Sequence, residues 1–326
     1  MTKPRKAPQS KGTHAPQFES RRTRGLVWVC DVVGSSQLLN RSETAAETEE
    51  FLQRFLYLSL LTVNSSGGTF VKWTGDGFLA FYESPLDREL GAIAEVIFEA
   101  IFFLTLIVNI TQLCIARSER IRIRHAVTYE KDALLIDLEH SESMRSKDVL
   151  GRSVVAAFRL SGIGCDFPGI VTHKEVLQAF EDSGPNTRLR FRKLSISEEM
   201  RLRYFKGERF GTRDVYVSAN KQPRKRRKSL KSLQKSTGHL LKKVVSGNLL
   251  AQLGTRLSQF RRGLFQELEM GPPWCRQVVE KLLRDFMLPG LEALSKFCEL
   301  SPDAEGSDEV LRNQVSRLTG LTGMQD

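Results

Sequence analysis

Two aspartates carry the first chemical signal in this chain. Asp31 sits inside the run Leu26–Val33, LVWVCDVV, which reads as a central strand buried on both faces. A carboxylate there must be neutralised by a partner, and a cation is the obvious one. Asp76 stands between Gly75 and Gly77 in the stretch GGTFVKWTGDGFLAFY, Gly67–Tyr82. Flanking glycines let the backbone turn with positive φ and leave the acid room to meet a metal ion or a phosphate. If the two strands are neighbours, Asp31 and Asp76 can bridge a pair of divalent ions about 3.5–4 Å apart, the arrangement of in-line phosphoryl chemistry. Gly34-Ser35-Ser36 follows the first strand and opens a helix, whose free N–H groups and positive dipole end suit a polyphosphate. Plainer readings stand beside these: Asp76 as a turn former, and the serines as N-caps, which is compatible with the phosphate role.

The elements that must position these residues are legible from periodicity. Thr69–Trp73 and Phe78–Tyr82 are β-branched and aromatic runs joined by Gly75-Asp76-Gly77, a β-hairpin. Leu38–Val63 carries an amphipathic stripe that includes Phe51, Phe55 and Leu58, and Ser65-Ser66-Gly67-Gly68 ends it. Ile93–Ile115 is apolar enough to be considered as a membrane span, but Glu99, Asn109 and Gln112 interrupt it and favour a buried core helix. Ile121–Thr128 and Ala133–Leu138 read as two further strands. Asp148–Gly162 reads as a turn leading into a helix, Ser153–Ser161. Gly169–Thr172, a helix around Lys174–Phe180, and the pair Leu202–Phe205 and Asp214–Val217 close the domain. His125 and His140 read as packing or surface residues, because neither sits in a ligand-spaced cluster.

VCDVVGSS, VKWTGDGFLAFY and DVLGRSVVAAFRL, in that order, make the segment Gly25–Val217 similar to the class III nucleotide cyclase domain, the adenylate/guanylate cyclase family. The resemblance implies an α+β, ferredoxin-like fold with a mixed, largely antiparallel sheet and helices packed on one face. It also implies an obligate homodimer with active sites between protomers. By the same resemblance Asp31 and Asp76, with the backbone carbonyl of Val32, hold two Mg²⁺ or Mn²⁺ ions. Lys72 and Asp148 occupy the base-reading positions, Arg159 matches the arginine that stabilises charge on the transition-state phosphate, and Lys206 resembles a contact to the terminal phosphates. The match has two departures. Val155 replaces the asparagine that positions the ribose. In the pattern Arg-x-Gly-x-His-x-Gly only Arg124 remains, with Ala126, Thr128 and Glu130 at the other places.

The chain has 326 residues, 40% of them hydrophobic, and a formal net charge of +11, enough for one sizeable core with an appendage. Its five cysteines, Cys30, Cys114, Cys165, Cys275 and Cys298, have neither paired nor metal-ligand spacing, as expected of reduced thiols in a cytoplasmic protein. Residues 1–24 are polar and basic without the apolar core of a signal peptide, and they read as a disordered tail. Residues 25–218 form the catalytic domain. Residues 219–237 are a basic linker containing KQPRKRRKSLKSLQK, which is either a solvated tether or a contact for nucleic acid or anionic lipid. Residues 238–326 are a helical region with no catalytic constellation of its own.

Two function classes follow. The first is a nucleotide cyclase that takes a nucleoside triphosphate to a 3′,5′-cyclic nucleotide and diphosphate. The second is a non-catalytic cyclase-homology module that binds nucleotide or dimerises. Within the first, the stand-alone organisation and the missing asparagine resemble the pyrimidine cyclases of Pycsar antiphage defence. That resemblance implies cyclic UMP or cyclic CMP as a messenger for a separately encoded effector protein. Lys72 with Asp148 accompanies ATP in adenylate cyclases, and this alternative stays open.

Overall fold

The computed structural model describes residues 17–40, 45–115, 121–141, 144–163, 169–184, 189–205 and 214–218, and, towards the end of the chain, 263–264, 266–268 and 270–282. An eight-stranded sheet organises them: β1 (Gln17–Val33), β2 (Thr69–Trp73), β3 (Gly77–Glu83), β4 (Arg122–Ser141), β5 (Met144–Leu150), β6 (Ile170–His173), β7 (Phe191–Leu194) and β8 (Val215–Ser218). The strand order is β2-β3-β1-β4-β6-β8-β7, with β5 paired to β4 beside this path. The β4–β6 pair is parallel, and all other pairs are antiparallel. This is the mixed α+β architecture expected from the sequence.

Alternation along the central strands divides the apolar residues between two layers. Leu26, Trp28, Cys30 and Val32 face the larger core, built with α2 (Ala45–Ser65), α3 (Leu90–Cys114) and α5 (Lys174–Asp182). Val27 and Val29 face a second core, closed by α4 (Arg152–Ile163) and, at its edge, α6 (Glu198–Tyr204). Helices thus cover both faces of the sheet, where a single helical face was expected. The physical reason lies in β1, which is buried on both sides and needs two apolar covers.

α3 is long and apolar enough to cross a membrane by composition, and in the fold it is mostly buried. Gln112 has internal work: it accepts from the Ile121 N–H at 2.7 Å and donates to the Ile121 carbonyl at 3.1 Å, which ties the helix to the start of β4. The last described helix, α7 (Pro273–Leu282), joins the same core through Cys275 and Val278, with Leu264 and Leu268 before it. Trp274 packs edge-on against Tyr57, with the Arg54 guanidinium 5.1 Å from its ring centre. A segment from the expected helical appendage is therefore part of the domain's core.

Other expectations change at their boundaries. The tail expected over 1–24 ends sooner, because Gln17–Arg24 is the first half of β1, paired with β4 from Gln17↔Glu139 to Thr23↔Ala133. Charge pairs rather than apolar alternation accompany this half: Arg21 with Glu83, Arg22 with Asp132, and Arg24 with Asp87. The two strands expected at 121–128 and 133–138 are one strand, β4. The helix expected over 38–63 is two: a single turn, α1 (Ser35–Leu39), and then α2. Leu202–Phe205, expected as a strand, lies mainly in α6, which Ser197 starts by accepting from the Met200 N–H at 3.2 Å. The strand that partners β8 is β7 instead. Lys206, the basic run 221–235, Cys165 and Cys298 lie outside the described residues, as does the His140 side chain.

Candidate active site

The cross-strand register assembles the acids. Asp31 lies opposite Gly77 of β3 on one side and opposite Arg124 of β4 on the other. Asp76 precedes Gly77, so the hairpin tip delivers its carboxylate to the end of β1, beside Asp31. Two glycines make this approach possible. Gly75 has φ +91°, a conformation side chains rarely adopt, and a Cβ on Gly77 would collide with the Cys30 carbonyl. The Thr74 N–H donates to the Gly77 carbonyl at 2.9 Å and closes the turn.

Each acid has one further partner. The Arg124 guanidinium donates to Asp31 Oδ2 through Nε at 2.8 Å and through a second nitrogen, and the Ser35 hydroxyl donates to Asp76 Oδ2. Ser35 is buried, whereas Gly34 and Ser36 are exposed, so one serine of the pair orients Asp76 and the other is free to meet solvent. Burial holds the Asp31 carboxyl above its ordinary range; Arg124 opposes this, and the neighbouring Asp76 adds to it. Val32 continues the strand with its side chain in the larger core.

The second half of the site is built on β2, β5 and α4. Lys72 Nζ reaches both Asp148 carboxylate oxygens, at 2.8 and 2.7 Å, while Asp148 Oδ1 also accepts from the Val149 N–H at 2.8 Å. The two expected base-reading residues thus face each other within one chain. α4 packs its Val154, Ala157 and Leu160 onto the sheet face shared by Val27, Val29 and, by alternation, Asp31. Arg152, Val155 and Arg159 recur at i, i+3 and i+7 along the opposite, exposed side of the helix. Among the described residues Arg159 has no ion-pair partner.

Sequence reasoning missed what holds α4. Thr128 and Glu130, treated only as departures from a motif, are buried and face its first turn. Thr128 Oγ1 donates to the Ser153 carbonyl at 2.8 Å, and Glu130 Oε2 accepts from the Ser153 N–H at 2.7 Å. The available signal was their period-two spacing with Arg124, which places all three on one face of β4. His125, on the other face, is a packing residue: Trp28 Nε1 donates to its Nδ1 at 3.2 Å, and its Nε2 lies 3.3 Å from the Thr105 hydroxyl. Burial lowers its pKa to about 3, so it is neutral.

The donor set fits a divalent metal of the hard type. Two adjoining carboxylates stand against a single guanidinium, which pairs with Asp31, and this leaves a net negative site made of oxygen donors. Mg²⁺ and Mn²⁺ are held in this way by one or two carboxylates, with the remaining positions taken by water and substrate phosphates. No cluster of three or more His, Cys, Asp or Glu side chains suited to a metal occurs among the described residues.

No family model matches the chain, and no curated protein matches it. Solved structures do. The adenylyl cyclase CyaB from P. aeruginosa is 16% identical, with a TM-score of 0.48 over 65% of this chain and 99% of that one. The guanylyl cyclase Cya2 is 16% identical, with a TM-score of 0.43 over 65% and 98%. The guanylate cyclase domain of RhGC from Catenaria anguillulae, in complex with GTP, is 13% identical, with a TM-score of 0.44 over 62% and 100%. The solved structures named here, to which this chain is similar, are thus adenylyl and guanylyl cyclases.

Proposed function

We propose that this protein is a nucleotide cyclase of the class III type, converting a nucleoside triphosphate to a 3′,5′-cyclic nucleotide and diphosphate. The observation that carries the reading is the Asp31–Asp76 carboxylate pair, brought together at the ends of two neighbouring strands. A half-buried like-charge pair costs stability, and a module that only bound nucleotide would have no need of it.

Asp31, Asp76 and the Val32 carbonyl would hold Mg²⁺ or Mn²⁺. When bound, the metal supplies charge neutralisation at the triphosphate and acidifies the ribose 3′-hydroxyl. The reaction forms the O3′–Pα bond and breaks the bond from Pα to the bridging oxygen of the diphosphate. The hydroxyl proton leaves to solvent. Ser35 keeps Asp76 oriented, and Arg124 favours the ionised form of Asp31 and holds it in place. Lys72 and Asp148 set a donor beside an acceptor on the side where the base must lie, and the base separates them by taking one partner from each. Gly34 and Ser36 lie exposed beside the acids for the phosphates, and Lys206 is assigned to the terminal phosphates. Arg159 stabilises the charge that develops on the transferred phosphate.

Arg159 projects from the side of α4 turned away from its own sheet, which supports a homodimer in which it serves the acids of the partner protomer. Val155 between Arg152 and Arg159 removes the amide that would orient a ribose. This supports the finer reading of a pyrimidine cyclase, UTP first and CTP second, whose product activates a separate effector in antiphage defence. Intracellular signalling of this kind places the protein in the cytoplasm. The Lys72–Asp148 pair favours the second reading, an adenylate cyclase.

Incubating the full-length protein with each of the four NTPs and Mn²⁺ tests the reaction and the base together. Cyclic UMP as the main product is expected. Cyclic AMP as the main product would select the second reading, and a folded dimer that forms no cyclic nucleotide from any NTP would overturn the proposal. Mixing inactive Asp31→Ala and Arg159→Ala proteins, with subunit exchange shown by differently tagged copies, should restore activity towards about half the wild-type rate per heterodimer, because one intact site forms.

A further inference from the structure

We infer that Glu130 is a positioning residue for α4, setting the place of Arg159 by holding the first turn of that helix against β4; the inference rests on the cyclase reading. One face of β4 presents Arg124, Ala126, Thr128 and Glu130 in succession. Its first residue pairs with Asp31, and its last two grip Ser153 from both sides, Thr128 at the carbonyl and Glu130 at the N–H. A single strand therefore spans from the acid pair to the helix that bears the arginine.

The grip is built rather than incidental. Glu130 is 7% exposed, and its second oxygen accepts from the Asp132 N–H at 3.3 Å, so both oxygens are engaged. Gly151 makes the space: a Cβ there would collide with Glu130 Oε2. A carboxylate on the free N–H groups of a helix's first turn is also favoured by the helix dipole. Glycine at position 130 could offer none of this. The departure from the family pattern at Thr128 and Glu130 is thus a replacement anchor.

Because α4 carries Arg159 whereas Asp148 is held separately by the β4–β5 ladder and Lys72, loss of Glu130 should separate rate from binding. In the full-length protein, Glu130→Ala is expected to lower kcat about 10-fold or more with KM changed less than about threefold, the signature of a misplaced transition-state contact. Glu130→Gln, whose amide oxygen can still accept from Ser153, should recover at least about a third of the wild-type rate. In an Arg159→Lys background, Glu130→Ala should cost less than about twofold, because the residue acts through the arginine. Amide exchange at Ser153 and Val154 should quicken in Glu130→Ala while exchange in α3 is unchanged.

Wild-type kcat in folded Glu130→Ala, an equal loss in the Arg159→Lys background, or unaltered exchange at Ser153 would each overturn the inference. If Glu130→Ala does not fold, Gly151→Ala carries the same comparisons, by pushing the carboxylate off Ser153. If the wild-type protein turns over no NTP, the cyclase reading falls, and the exchange measurement alone decides whether Glu130 positions α4.

Discussion

Replacing Asp76 by Asn should stabilise the protein while abolishing turnover. Asp76 adds a negative charge beside Asp31, whose carboxyl is already held above its ordinary range by burial. Two unit charges about 5 Å apart repel by roughly 3 kcal/mol at an effective dielectric of 20 and by less than about 1 kcal/mol in bulk water. Asp76 is partly exposed and Arg124 offsets part of the field, so a net gain of about 1 kcal/mol is expected for Asp76→Asn, and less in high salt. Asn keeps an oxygen for the Ser35 hydroxyl, so the hydrogen bond that orients residue 76 survives.

The gain should depend on pH with a definite sign. A carboxyl whose folded-state pKa is raised contributes stability below its unfolded pKa, 3.8, and loses it as pH rises through the folded value. The advantage of Asp76→Asn is therefore full at neutral pH and vanishes in acid, where Asp31 is protonated. The assay is urea unfolding together with thermal melting at pH 7.5 in EDTA, repeated near pH 4 and again with millimolar Mn²⁺. In EDTA the variant's melting point should lie about 2–4 °C above that of the wild type. With Mn²⁺ at about 100 times its Kd the wild type should gain about 2.7 kcal/mol, and the variant much less, so the order reverses. Equal stabilisation of both proteins by Mn²⁺, or a less stable variant in EDTA, would refute the reasoning.

Two further outcomes are expected. His125 is buried and neutral, with a pKa near 3 against 6.5 for an unfolded chain, so its contribution is present above pH 6.5 and is lost as pH falls towards 3. Between pH 7.5 and 5.5 the wild type should lose about 1.4 kcal/mol that His125→Gln does not lose, as read by urea midpoints. Ending the chain at Ser218 removes Leu264, Leu268, Cys275 and Val278 from the core beside α2 and α3. At about 1.5–3 kcal/mol for each buried side chain, the truncated protein should unfold more than about 10 °C below the full chain and bind a hydrophobic dye. An unchanged melting point would show that α7 is dispensable for the fold.

Several features were legible from local pattern alone. The apolar run around Asp31 specifies a doubly buried strand, Gly75-Asp76-Gly77 specifies a hairpin tip, and the 3.6-residue stripe of Phe51, Phe55 and Leu58 specifies a helix that lies on the sheet. Such signals are local because side-chain periodicity and turn chemistry depend on near neighbours in the chain. Other features depended on contacts between distant segments. Gln17–Arg24 is polar, and only pairing with β4 and salt bridges to Glu83, Asp87 and Asp132 make it a strand. α7 follows a long basic stretch, and its amphipathic face could not reveal that its partners are Tyr57 and α3, more than 150 residues earlier in the chain. Motif comparison marked Thr128 and Glu130 as losses. Only the packing of α4 over β4 turned them into the groups that hold Ser153, because a hydrogen bond between residues 23 positions apart is decided by where the helix lands on the sheet.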